Sequence, residues 1–190
     1  MRFILVLALA ASAVRAGTLN VQIDDPGLRR KTTLVYIEAV PGKFSPPAKA
    51  AVMNQLHNTY SPRVLPVIAG QKVEFQSSDP ELHNVFARQS KTTLFNQAVL
   101  PHKMFERTFD KQGIVHLSCN VHKEMSADVL VLQNPYFAQG DGSGNFTIAN
   151  VPAGKYTVRI FGEQLSDEQR EKTYSVTVSG SAAPLKLAMK

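Results

Sequence analysis

The run Gly113-Ile114-Val115-His116-Leu117-Ser118-Cys119-Asn120-Val121-His122-Lys123-Glu124-Met125-Ser126-Ala127-Asp128-Val129-Leu130-Val131-Leu132 reads as two strands around a short loop. In its first part Val115, Leu117 and Cys119 share one face at period two. Its last part, Ala127 to Leu132, is apolar on both faces, as a central strand is. Between them, Cys119, His122 and Met125 place a thiolate, an imidazole and a thioether within seven residues, in C-x-x-H-x-x-M spacing. His116 has the opposite parity to Cys119 on the same strand and points away from it.

The same short alternation recurs along the chain. Leu19, Val21 and Ile23 share a face in 18–24, and Val35, Ile37 and Ala39 share one in 33–40. Val73 and Phe75 point inward in 71–76, and 155–161 and 173–178 repeat the pattern. Gly, Pro, Asn and Asp separate the runs, which predicts an all-β chain of antiparallel sandwiches. Two short helices are predicted, over 47–54 and 166–171. Ser166 caps the second, with Glu168 in its first turn.

The first sixteen residues read as a secretory leader: Met1-Arg2, an apolar run from Phe3 to Val14, then Ala-Val-Arg-Ala, with cleavage after Ala16. The alternative is a membrane anchor, but the run is shorter than the roughly 20 apolar residues a span needs. No other segment is apolar enough to span. An exported, periplasmic location is expected. The net charge of +6 includes Arg2 and Arg15. The rest is scattered, without the Lys/Arg blocks of a nucleic-acid patch. A lone cysteine in an exported chain forms no internal disulfide, and is a cross-link, an inert buried thiol or a ligand. His122 and Met125 beside it favour the ligand.

Leu82-His83-Asn84-Val85-Phe86 offers a second imidazole. Two imidazoles, a thiolate and a weak thioether are the donor set of a blue-copper electron-transfer centre. His57 and His102 read as exposed or structurally satisfied, as does His116. Asp141, Ser143 and Asn145 alternate as in a calcium loop, but Pro152 stands where the bidentate Glu belongs, so a Gly-rich turn is expected.

From Tyr60 to Leu132 the sequence resembles the cupredoxin family, a Greek-key β-sandwich. The resemblance rests on Ser61-Pro62, 64–67, Gly70, Val73, Phe75, Asp79, the His83-Asn84-Val85 triplet and the Cys119 loop. The loop spacing is similar to that of the short-loop, amicyanin-like members. The resemblance implies one type 1 copper ion, with His83, Cys119, His122 and Met125 as its ligands, the methionine axial. It also implies that Asn84 ties the His83 segment to the Cys119 loop. The segment 91–103 has no counterpart in the small cupredoxins, and Ala127 stands where the family often has Gly.

The second half carries another resemblance. Gly140-Asp141-Gly142-Ser143-Gly144-Asn145-Phe146 and Val151-Pro152-Ala153-Gly154-Lys155-Tyr156 resemble the turns of the carboxypeptidase regulatory-like (prealbumin-like) β-sandwich, a name that implies no peptidase activity. Residues 17–40 resemble that sandwich's opening strands. The expectation is a discontinuous sandwich, 17–40 with 134–190, into which a cupredoxin domain, 41–133, is inserted. The alternative is two domains in series. The pair of resemblances is similar to bacterial exported proteins labelled methylamine utilization proteins.

These readings imply a non-enzymatic periplasmic electron carrier whose partner is a c-type cytochrome or a periplasmic dehydrogenase. The alternatives are a copper carrier or chaperone, using Met53, Met104, His57 and His102 as extra ligands, and a non-redox binding module. A multicopper enzyme is disfavoured, because five histidines are too few for a trinuclear cluster.

Overall fold

The computed structural model describes residues 16–180 and 184–187. Most of the expected leader, residues 1–15, lies outside the described residues. In chain order the elements are β1 (Gly17–Ile23), β2 (Leu34–Ile37), β3 (Ala51–Leu56), β4 (Thr59–Ser61), β5 (Val64–Ile68), β6 (Lys72–Ser77), β7 (His83–Gln89) and β8 (Thr92–Val99). They continue with β9 (Met104–Thr108), β10 (Gly113–Ser118), β11 (Ser126–Leu132), β12 (Phe137–Gln139), β13 (Asn145–Val151), β14 (Gly154–Phe161), α1 (Asp167–Glu171), β15 (Thr173–Val178) and β16 (Leu185–Leu187). The described residues are almost entirely β-strand and form two β-sandwiches, the second the smaller, with one short α-helix.

The first sandwich packs a five-stranded sheet, β5-β11-β10-β7-β8, on a four-stranded one, β4-β3-β6-β9. Period-two side chains from both sheets fill its core, among them Met53, Phe75, Val85, Leu117 and Val129. The second sandwich is made of the sheets β13-β1-β16 and β12-β2-β14-β15. Here β1 pairs antiparallel with β13, Leu19 opposite Ile148, and β2 pairs with β14, Ile37 opposite Val158. Leu19, Val21, Ile37, Phe146 and Val158 share its core.

A third buried cluster joins the two sandwiches. Val64, Ile68, Leu130 and Leu132 come from the first, and Leu34 and Phe161 from the second. This explains why 129–132 is apolar on both faces: Val129 and Val131 enter the first core, while Leu130 and Leu132 meet the other sandwich. It also explains Leu34, which the alternation alone places on the outer face of its strand, yet which is buried. Arg63 adds an ion pair to Glu163 across the junction, Nε to Oε1 3.0 Å.

One predicted helix is corrected. Residues 47–54 form no helix; Ala51–Leu56 is β3, parallel to β6 in the register Met53 to Phe75. A two-turn helix is marginal alone, whereas pairing with β6 satisfies the backbone and turns Met53 and Gln55 into the core. The other helix forms as α1. Ser166 Oγ accepts from the Gln169 N–H and Gln169 Oε1 from the Ser166 N–H, a reciprocal cap. The 141–145 turn is closed by its own side chains, with Asp141 Oδ1 accepting from the Ser143 N–H at 2.8 Å.

Phe161 fills the junction with almost no exposure. Phe161→Ala is expected to cost about 3–5 kcal/mol, read as a lower urea midpoint in equilibrium unfolding.

Candidate metal centre

The hairpin β10–β11 pairs Ser118 with Ser126, so residues 119–125 are its loop. Two backbone bonds close that loop. The Cys119 N–H donates to the Met125 carbonyl at 3.1 Å, and the Met125 N–H to the His122 carbonyl at 3.0 Å. The second is the i to i+3 bond of a β-turn over 122–125, and it folds His122 back toward Cys119. Met125 is buried in the same core cluster as Cys119. His83 opens β7, next to β10 in the same sheet, and is fully buried.

These placements bring three donors together. The Nδ1 atoms of His83 and His122 are 3.1 Å apart, and Cys119 Sγ lies 4.0 Å from His122 Nδ1. All three ligand atoms lie within 4.8 Å of one another. Ligands at about 2.0 Å (N) and 2.3 Å (S) from one ion lie no more than about 4.3 Å apart. The donor set therefore suits a single metal ion after a small inward shift of the side chains. Neither His57 nor His102 belongs to the cluster. His116 faces outward and binds Asp128, Nδ1 to Oδ1 2.9 Å, as its parity requires.

The side chains around the donors are tied to one another. Asn84 Oδ1 accepts from the Asn120 N–H at 2.6 Å, linking the His83 strand to the Cys119 loop as the resemblance implied. Asn84 Nδ2 donates to Asn96 Oδ1 on β8, so the unmatched segment 91–103 braces this link. The Tyr60 hydroxyl donates to the Asn84 carbonyl at 3.0 Å and lies 3.2 Å from the Ser118 carbonyl. Burial pushes that phenol well above its usual pKa.

Two carboxylates meet the outer edges of the imidazoles. Asp79 Oδ2 lies 2.9 Å from His83 Nε2, and Glu81 Oε2 lies 3.3 Å from His122 Nε2. Asp79 also accepts the N–H groups of His57 at 2.7 Å and Asn58 at 3.0 Å. Burial alone would raise its carboxyl, but these backbone donors and His83 outweigh it and hold the group below the usual carboxylate range. The sequence reading used Asp79 only as a match and did not single out Glu81. The signal was the D-x-E-x-H pattern at 79–83, which sets two carboxylates two and four residues ahead of a histidine.

A family model described as polysaccharide lyase family 4, domain II, matches residues 112–185, less than half of the chain. Among curated proteins none matches. Among solved structures, a purple cupredoxin from Nitrosopumilus maritimus matches 43% of this chain and 98% of its own, at 22% identity and a TM-score of 0.39. Amicyanin from Paracoccus versutus matches 51% and 96%, at 20% identity and 0.40. The Cu-containing nitrite reductase NirK from Thermus scotoductus SA-01 matches 52% of this chain at 21% identity and 0.42, and the chain spans 25% of it. Likeness at these values carries no functional argument.

Two expectations follow from this geometry. Asn84→Ala leaves the Asn120 N–H without its acceptor and is expected to cost about 1–3 kcal/mol, with faster amide exchange at Asn120. The His116 pair sets a pH dependence. The Asp128 bond, partly opposed by burial, raises the pKa of His116. A raised folded value means stabilisation is full below the unfolded value of about 6.5 and is lost as pH rises through the folded one. The stability gap between the native protein and His116→Gln, measured by urea unfolding, should therefore shrink with rising pH.

Proposed function

We propose that this is an exported blue-copper protein that carries single electrons. Its ligands are His83 and His122 through Nδ1, Cys119 as thiolate and Met125 as the weak axial sulfur. The observation that carries the reading is the convergence of three buried or half-buried donors within 4.8 Å. Copper bound there supplies a one-electron couple whose potential depends on the axial ligand and on hydrogen bonding around the thiolate.

The chain's own part is rigidity and access. Cys119 and Met125 are clamped by the closed hairpin loop, and His83 by a strand, so the donors keep one arrangement in both oxidation states. His83 has no solvent exposure, whereas the His122 side chain is 24% exposed and is the opening to a partner. Leu82 and Val121, chain neighbours of the two histidines, are exposed apolar side chains. An apolar rim of this kind suits a small, transient contact with a redox protein. The expected partner is a c-type cytochrome or a periplasmic dehydrogenase.

The reading includes a periplasmic location, supported by the leader-like N-terminus, and a domain division. Residues 17–40 and 134–190 form one sandwich and residues 41–133 are inserted into it; the β1–β13 and β2–β14 pairs support this. No described helix is long and apolar enough to cross a membrane. A copper-carrier role draws less support, because Met53, one of its extra ligands, is packed in the core, although Met104, His57 and His102 are exposed.

The test is the visible spectrum of the purified protein after loading with Cu(II). An intense thiolate-to-copper band, lost in Cys119→Ser, is expected. A colourless protein with a freely titrating thiol would refute the reading. Rapid oxidation of a reduced cytochrome c, followed by stopped flow, separates electron transfer from copper delivery.

A further inference from the structure

Resting on the copper reading above, we infer that Asp79 is a positioning residue for the centre. Its buried carboxylate holds His83 with Nδ1 turned to the metal and biases bound copper toward the cupric state.

The argument starts at the turn between β3 and β4. His57 and Asn58 both have positive φ, 54° and 55°, the backbone of a tight hairpin turn. That conformation directs both N–H groups at the Asp79 carboxylate. The side chain is only 7% exposed, so these two donors replace water as its solvation. A carboxylate already accepting two N–H bonds acts as an acceptor toward the third group it meets, Nε2 of His83. Nε2 then carries the proton, and the lone pair of neutral His83 sits on Nδ1, the atom 3.1 Å from His122 Nδ1. The turn, the acid and the imidazole thus form one chain of bonds that ends at the metal position.

The same chain places a fixed negative charge one imidazole ring away from the ion, in a site little reached by solvent. Such a charge stabilises the ion of higher charge more than that of lower charge. Glu81 stands in the same relation to His122, but it is 58% exposed and its contact is longer, so water and salt weaken it. The two carboxylates form an internal comparison: the same chemistry buried and exposed.

Two measurements test this. In the copper-free protein, nitrogen-15 NMR of the His83 ring should show the Nε2–H tautomer. The Nδ1–H tautomer overturns the positioning role, and this result needs neither copper nor a variant. In the copper-loaded protein, Asp79→Asn keeps one acceptor and removes the charge. It should lower the ratio of Cu(II) to Cu(I) affinity at least tenfold, a rise in reduction potential of about 59 mV for a one-electron couple. Glu81→Gln should give a smaller rise that shrinks with added salt. An intact blue band with an unchanged potential in Asp79→Asn overturns the bias. A native protein that takes up no copper instead refutes the reading of the centre, and the tautomer measurement still stands. Should Asp79→Asn fail to fold, the native tautomer alone decides the positioning role.

Discussion

The double burial of β11 is the constraint on which the rest of the structure depends. Ala127, Val129 and Val131 pack into the core that also holds Cys119 and Met125, and Leu130 and Leu132 into the junction with the second sandwich. The strand begins immediately after Met125, so the loop that supplies three of the proposed ligands is anchored at one end to a strand buried on both faces. A slip by one residue would turn every side chain of the strand to the other face and carry Asp128 into the core, so the register is strongly specified. The fixed register of β11 against β10 in turn sets where the seven-residue loop closes.

Rigidity reaches the other imidazole through polar contacts. Asn84 follows His83 on β7 and reaches across to the Asn120 amide. Tyr60 and Gln55, from β4 and β3, reach the Asn84 carbonyl. Buried hydrogen bonds of this kind are costly to leave unmade. The arrangement therefore holds as a unit, and the opposite sheet of the sandwich takes part in it. The exposed edge of His122 is the contrasting element, held by the turn behind it and a half-exposed Glu81. The donor cluster is thus braced from behind and open at His122, an arrangement that suits the electron exchange proposed above.

Much of this was legible in the chain itself. Period-two alternation gave β1, β2, β6, β10, β11, β14 and β15, seven of the sixteen described strands, and the parity of His116 against Cys119 separated an outward histidine from an inward cysteine. The capping residues around Ser166 gave the one helix, because an N-cap is a local device. The helix expected over 47–54 failed for the converse reason: its pattern is locally ambiguous, and only the parallel pairing with β6 decides it. Leu34 falls on the opposite face from Val35 and Ile37, and alternation distinguishes the two faces of a strand but not what covers the second.

By itself, the sequence determined the all-β class, the donor types and the loop spacing that puts Cys119, His122 and Met125 within reach of one another. These follow from short-range periodicity and chain geometry. Only the tertiary structure decided that His83, 36 residues upstream of Cys119, meets that loop, and that Asp79 and Glu81 stand behind the two imidazoles. It alone showed a second sandwich covering the outer face of β11. Those contacts depend on sheet order and strand pairing between distant segments, and such pairing leaves no mark in local sequence until the chain has folded.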